Sequence, residues 1–320
     1  MGSASGVIFG PNGNLFGTTS NGGTNDDGGI VFELTPPVSG QTKWTEQVLA
    51  NIRGGMPAGL LKLHDGSLVG LSYGGGAKNN GNVFLLKPPA QGKTLWNYSD
   101  IYDFQGGNDG ANPATSLIAG SNGVLYGTTN AGGSANVGTV FSLKPPSKGH
   151  VEWTENVLYA FQGGVDGETP KASLALGKGG VLFGTTSLGG TCPGVTAGCG
   201  TVFSVTPPTG GTGAWTEAVL LAFNITNGYE PLASLVVKPN GALLGAVPGG
   251  GQSDGGLIFE LAPPKDGGTE WTYSSLYQCV AGDGGNGPEG ALLFSGMTYF
   301  GTAKYGGRAG AGVVFNLTPP

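Results

Sequence analysis

Four acidic residues in recurring loops carry the chemistry that this sequence advertises. Asp109 lies in QGGNDGANP and Asp166 in QGGVDGETP, near-copies 57 residues apart, while Asp283 in AGDGGNGPE and Glu230 in NGYEP occupy comparable loops further along. Carboxylates repeated in this way suit hydrogen-bond acceptance from sugar hydroxyls, or binding of Ca2+, which takes hard oxygen ligands. No other cofactor is indicated. The same residues also have a structural reading, because Asp before Gly caps a tight turn with its own side chain. The first loop of the series, NIRGGMPAG, has no carboxylate.

Other reactive groupings fail on their surroundings. His64 in LHDGS and His150 in KGHVE are the only histidines, and both lie in polar turns without counterparts in the other copies. They read as solvated loop residues, so no Ser-His-Asp triad is indicated. GLSYG at 70–74 has the spacing of a nucleophile elbow around Ser72, but the same position elsewhere reads GTTNA or GTTSL and enters a hairpin loop instead of a helix. GGGQSDGG at 249–256 lacks the helix and lysine of a phosphate loop. Glu168, Asp254 and Glu289 lack strict equivalents, yet nothing in the pattern joins two of them as the acid and base of a glycosidase. No catalytic residue and no metal site is assigned.

Cys192 and Cys199 flank TCPGVTAGC, which reads either as a local disulfide stapling a long hairpin loop or as two unrelated thiols. Zinc would need about four ligands, and no His lies nearby. A disulfide would place the protein outside the reducing cytosol. Cys279 reads as a small buried apolar residue.

The elements that must position these loops follow from a repeat. Trp44, Trp96, Trp153, Trp215 and Trp271 each follow a proline pair and open the segments WTEQVLANI, WNYSDIYDF, WTENVLYAF, WTEAVLLAF and WTYSSLYQC; a sixth pair, Pro319-Pro320, ends the chain. In the third copy, ATSLIA (114–119), VLYGTT (124–129), GTVFSLKPP (138–146) and WTENVLYAF (153–161) are short apolar runs bounded by Gly, Asn or Pro, hence four strands. The glycine of the second run recurs at Gly17, Gly70, Gly127, Gly184, Gly245 and Gly301, at spacings of 53, 57, 57, 61 and 56.

Four strands per unit and a period in the fifties specify an all-β fold, a six-bladed β-propeller of four-stranded blades. It is expected to be a single domain over 1–320, with blades near 5–50, 58–104, 114–161, 172–223, 233–279 and 290–320. A sheet with two partly apolar faces cannot bury both alone, and a ring of like sheets satisfies each blade. Ala114, Ala172 and Ala233 suit a crowded innermost strand, and Trp, fixed in every complete blade, reads as packing between blades. The Trp strand occurs five times against six for the others, so the last blade is expected to be three-stranded with an open edge. The missing strand is expected to precede residue 1 in a longer parent. The acidic loops fall where the fourth strand of one blade crosses to the first of the next, on the face of the GTTxxGG hairpins.

Composition narrows the partners. Lys and Arg number 14 against 20 Asp and Glu, which argues against nucleic acid, whose phosphates need a basic stripe. No stretch approaches the roughly 18–20 apolar residues of a membrane span. MGSASGVIF has neither a charged n-region nor a long apolar core, so it is not expected to act as a signal peptide. Gly (66) and Pro (21) exceed a quarter of the 320 residues, but they recur in register and so read as turns.

The strings LFGTTSNGG, LYGTTNAGG, LFGTTSLGG and YFGTAKYGG, with GIVFELTPP, GTVFSLKPP, GTVFSVTPP and GVVFNLTPP, resemble the GloVer repeats of the bacterial choice-of-anchor tandem repeat proteins. The resemblance spans essentially the whole chain, more loosely in the second and fifth copies. It implies a secreted or surface-attached repeat protein, often with a C-terminal anchoring segment that is not found here, and it implies no catalytic residues. FGPNGNLFG at 9–17, followed by a Pro-Pro run and a Trp strand, is similar in pattern to the tachylectin-type propeller lectins.

The function expected is that of an extracellular or cell-surface binding or scaffold module, non-enzymatic, whose loop face contacts a glycan or a protein, with weak sites gaining avidity by repetition. Two alternatives stand beside it. One is a polysaccharide-active hydrolase or lyase, which would show acids, His, Tyr or Arg gathered at one blade junction. The other is an assembly protein that self-associates through the open sixth blade.

Overall fold

The computed structural model describes residues 6–24, 28–53, 55–265, 268–280, 285–295 and 298–318. The first sheet holds β1 (Ile8–Phe9), β2 (Leu15–Thr19), β3 (Ile30–Thr35) and β4 (Thr45–Asn51), and the second β5 (Pro57–Lys62), β6 (Leu68–Ser72), β7 (Asn82–Lys87) and β8 (Asn97–Asp103). The third comprises β9 (Ile118–Ala119), β10 (Leu125–Thr129), β11 (Thr139–Lys144) and β12 (Thr154–Ala160). The fourth comprises β13 (Ala175–Leu176), β14 (Leu182–Thr186), β15 (Thr201–Thr206) and β16 (Thr216–Ala222). The fifth has β17 (Val236–Val237), β18 (Leu243–Val247), β19 (Leu257–Ala262) and β20 (Thr272–Gln278). In each of these five sheets the strands neighbour one another in chain order.

The sixth sheet departs from this plan. Its first run is divided into β21 (Asn286–Pro288) and β22 (Leu293–Ser295), both paired with β23 (Thr298–Tyr305), whose other edge pairs with β24 (Val313–Leu317). No Trp-type strand joins β24 among the described residues, and Val314 on it is 79% exposed. The six sheets are the blades of an all-β, six-bladed propeller. The residues group into two compact units, 1–157 and 158–320. Ser5 and Pro319-Pro320 lie outside the described residues.

The period-marking glycine is explained by its cross-strand partner. Gly17, Gly70, Gly127, Gly184, Gly245 and Gly301 stand opposite Phe32, Phe84, Phe141, Phe203, Phe259 and Phe315. A Cβ at any of the six would lie 2.4–2.7 Å from the Cζ of that ring. Only glycine leaves room for the ring to lie across the second strand.

The rings then join adjacent blades. Phe104, which follows β8, meets Phe141 of the next blade edge-to-face at 5.2 Å, and Phe161 meets Phe203 at 5.0 Å and Phe223 meets Phe259 at 5.4 Å in the same way. Ile52 and Cys279 hold the equivalent position after β4 and β20 and are buried like the phenylalanines. The tryptophans also bridge blades: Trp96 packs edge-on against Phe16 and Trp271 against Phe183, each at 5.8 Å.

The GTT string is a hairpin device. The hydroxyl of its second threonine donates to a carbonyl two residues on, from Thr19 to Asn21 at 2.8 Å, Thr129 to Ala131 at 2.8 Å and Thr186 to Leu188 at 2.9 Å.

Gly184→Ala is expected to destabilise the protein by about 1–3 kcal/mol, the usual cost of overpacking a tight core. Chemical denaturation checks this, and an unchanged midpoint would remove the glycine–phenylalanine pair as a constraint on the blade.

Candidate functional site

The expected acidic loops form two kinds of site. Asp109 and Asp166 end short 3-10 turns, Gly107–Asp109 and Gly164–Asp166, and both carboxylates are engaged within their own loop. Asp109 accepts from the Tyr102 hydroxyl at 2.5 Å and from the Gln105 amide at 2.5 Å. Asp166 accepts from Tyr159 at 2.7 Å and from the Gln162 amide at 2.5 Å. The glycine that follows each, Gly110 or Gly167, has a φ of 106° or 93°, which L side chains rarely adopt.

A glutamate from the next blade completes each cluster. Glu155 and Glu217, each two residues after a strand-opening Trp, reach Asp109 and Asp166 respectively. Burial first, then the neighbouring aspartate charge, pushes both glutamates up to about 8. Oε1 of each is buried without a hydrogen-bond partner, which a neutral carboxyl tolerates far better than a carboxylate. A neutral glutamate carboxyl suits that setting. Burial, then the bond to aspartate, likewise raises Tyr102 and Tyr159. These clusters tie the second blade to the third and the third to the fourth.

The fourth crossover is built differently. Asn227, not Glu230, takes the place of the aspartates: its Oδ1 accepts from the Asn224 amide at 2.6 Å, and its carbonyl accepts from Tyr273, which holds the strand position of Glu155 and Glu217, at 3.0 Å. Glu230 falls instead at the left-handed residue of the crossover, with a φ of 51° against 58° for Asn112 and 56° for Thr169. Asp283 lies outside the described residues.

Around Glu230 the repeat is broken. The bridge from crossover to following hairpin is Ala111–Ala131 and Glu168–Leu188 in two copies, but Tyr229–Gly249 here. A Cβ on Gly249 would lie 2.2 Å from the Tyr229 ring, so the ring lies flat on that backbone. The hairpin turn is capped by Asn79 on Gly75 and by Asn136 on Gly132, both at 3.0 Å, whereas Asp254 caps Gly250 at 2.9 Å. Tyr229 donates to the same Asp254 oxygen at 2.7 Å. These bonds hold Asp254 below the usual carboxylate range, and the bond to Asp254, then burial, pushes Tyr229 up to about 12.

A cleft of about 770 Å³ opens here, with Leu188, Val195 and Ile225 as apolar lining and Tyr229, Glu230, Gln252 and Asp254 as polar lining. Cys192 and Cys199 are joined in a disulfide, and Cys199 lines the cleft. The Cys199 carbonyl accepts from the Glu230 amide at 3.0 Å, which fixes Glu230 against the stapled loop. The Glu230 carboxylate has no hydrogen-bond or ion-pair partner among the described residues. Tyr229 was not visible as a site residue in the sequence; aligning the crossovers on Asn112, Thr169 and Glu230 would have placed it opposite Ala111 and Glu168.

The remaining candidates carry no reactive arrangement. Ser72 is fully buried in β6, paired with Pro57 and Asn82, and enters a hairpin loop. His150 and His64 are exposed. Cys279 is a free, buried thiol that burial pushes up to about 11. No group of three or more His, Cys, Asp or Glu suited to a metal ion occurs among the described residues. No described helix is long and apolar enough to cross a membrane.

The model of the Gloeobacter/Verrucomicrobia repeat family matches residues 1–197. No curated protein matches the chain. Among solved structures, a putative oxidoreductase (glucose dehydrogenase) of Thermus thermophilus is 16% identical with a TM-score of 0.58, covering 99% of this chain and 96% of that one. A putative 6-phosphogluconolactonase of Bacteroides uniformis is 16% identical with a TM-score of 0.53, covering 95% and 82%. A PL25 ulvan lyase bound to -[GlcA(1-4)Rha3S]- is 11% identical with a TM-score of 0.51, covering 99% and 83%. At such identities these likenesses concern the fold alone.

Two outcomes follow from the clusters and the disulfide. Because Glu155 and Glu217 bind protons more tightly folded than unfolded, their contribution to stability falls as pH rises from their ordinary value of 4.5 through about 8. A Glu155→Gln/Glu217→Gln variant keeps a donor toward each aspartate without titrating. Its melting temperature is expected to exceed that of the parent by a margin that widens from about pH 5 to about pH 9, and a margin independent of pH would show that the glutamates are already ionised. Replacing Cys192 and Cys199 by Ser opens a loop closed over a separation of 7 residues and is expected to cost about 2 kcal/mol, read as a lower denaturation midpoint under oxidising conditions only.

Proposed function

The chain belongs to the Gloeobacter/Verrucomicrobia repeat family, and on that premise we propose that it is a carbohydrate-binding propeller whose binding site is the cleft at the junction of the fourth and fifth blades. The observation that carries this reading is the break in the repeat. Tyr229, Asp254 and a disulfide-stapled loop replace the residues of the equivalent junctions, and together they border one cleft. Its lining sets apolar surface beside fixed acceptors and a carboxamide, which suits a sugar ring with an apolar face and a polar edge.

Binding is favoured over catalysis by the proton positions. With Tyr229 raised and Asp254 lowered, the proton stays on the phenol near neutral pH, so the pair acts as a fixed acceptor group and a poor proton shuttle. Elimination from a uronate would also need a cation or amide to neutralise the sugar carboxylate, and the lining offers only Gln252. The disulfide supports an extracytoplasmic setting. Two of the similar propellers are named as enzymes, a 6-phosphogluconolactonase and a polysaccharide lyase, which supports a carbohydrate ligand and keeps the enzyme reading as the alternative.

Calorimetry against a panel of soluble oligosaccharides tests it. Tyr229→Ala and Ile225→Arg are expected to weaken binding at least about tenfold, while Val165→Arg, on an exposed residue of the preceding crossover, leaves it unchanged. Absence of binding to every glycan would sink the proposal. Cleaved products accumulating with the parent and lost in Tyr229→Phe would replace it with the enzyme reading.

A further inference from the structure

We propose that the open edge of β24, in the sixth blade, is a docking site for an extended segment of the repeat's own fourth-strand type, donated by another protein chain. The edge lies in a different blade from the carbohydrate cleft. In the other five sheets the third strand pairs with a seven-residue fourth strand, which opens after a Trp and is followed directly by Ile52, Phe104, Phe161, Phe223 or Cys279. Among the described residues β24 has no such neighbour and pairs only with β23. Val314 is 79% exposed, whereas Val31, Val83, Val140, Val202 and Ile258, which likewise precede the phenylalanine opposite the glycine, are 0% exposed.

The other sheets show what covers such an edge. Val31 clusters with Ala50 and Ile52, Val83 with Tyr102 and Phe104, and Val202 with Leu221 and Phe223. The first residue of each couple stands opposite the valine in the ladder, and the second follows the fourth strand. In four sheets the register also shifts beside this valine or isoleucine, so the fourth strand carries one extra residue there. Backbone closes the slot: the amides of Ile52, Phe104, Phe223 and Cys279 donate to Gly29, Gly81, Gly200 and Gly256 at 2.9–3.0 Å. Gly312 holds the matching position with a φ of 103° against 84–96°, and among the described residues no backbone amide donates to its carbonyl. The acceptor for an incoming strand is therefore already in place, and docking would continue the third-to-fourth-strand ladder of the other sheets. This chain's five fourth strands are each engaged in their own sheets. The β24 of a second copy has five residues and lacks both the extra residue and the length to reach Gly312 as a fourth strand does.

The test is fluorescence anisotropy of the 320-residue chain with a labelled peptide copying residues 153–162, WTENVLYAFQ, a scrambled form, and a form carrying Phe161→Ser. The copied strand is expected to bind saturably and at least about tenfold tighter than either control peptide. Val314→Lys, on an exposed side chain, is expected to weaken binding by a similar factor, while Val219→Lys, on the outermost strand of the fourth blade, leaves it unchanged. A photoreactive residue in place of Tyr159 of the peptide, which holds the strand position of Tyr102 and Leu221, is expected to link to β24. That link is read on the parent chain, so the test stands even where Val314→Lys lowers stability. No binding, equal binding of the scrambled peptide, or links that fall on a fourth strand of the protein would overturn the inference. A dimer that forms without peptide and is lost in Val314→Lys would give the edge to a second copy and overturn it as well.

Discussion

The six blades depend on one steric pairing, a phenylalanine ring of the third strand laid across a glycine of the second. Any side chain at that glycine would run into the ring, from Gly17 and Phe32 through Gly301 and Phe315. The ring in turn receives an apolar residue from the preceding blade, as with Phe104 on Phe141 and Phe223 on Phe259. That residue is anchored in backbone as well: the amides of Ile52, Phe104, Phe223 and Cys279 donate to Gly29, Gly81, Gly200 and Gly256 at 2.9–3.0 Å. One slot therefore sets sheet geometry and blade stacking together, which explains why it recurs while loop lengths vary.

Polar groups are spent on the same junctions. Asp109 and Asp166 look in sequence like ligand acceptors; in the structure each accepts from a tyrosine and a turn amide and is faced by a buried glutamate of the next blade. At the next junction Tyr273 and Asn227 do the same task without charge, through a hydroxyl and a carbonyl. The fourth crossover carries Glu230 where the second and third carry Asn112 and Thr169, while Asp254 of the fifth hairpin caps its turn and accepts from Tyr229.

The fold was legible because its signals are local and repeated. Runs of four to seven apolar residues, Gly and Asn at the turns, and a fixed proline pair place nearly every strand, and the Trp strand is missing from the sixth blade among the described residues as its count of five requires. The division of the last first-strand into β21 and β22 was not legible, since it depends on how both pieces pair with β23. The disulfide remained one of two readings until the two cysteines were placed together. Glu230 was legible as a member of the acidic loop series and Asp254 as an acid without a strict equivalent, but not that both line one cleft, because they lie on different loops.

The sequence by itself determined the propeller and its blade count, because each unit cannot bury its own apolar faces and must stack on copies of itself. Tertiary structure alone decided which partners the acids meet. Asp109 and Asp166 share a motif, and each is faced by a glutamate 46 to 51 residues further on, brought in by the next blade. Charge state and availability depend on partners across a blade junction, and no reading of the loop alone contains them.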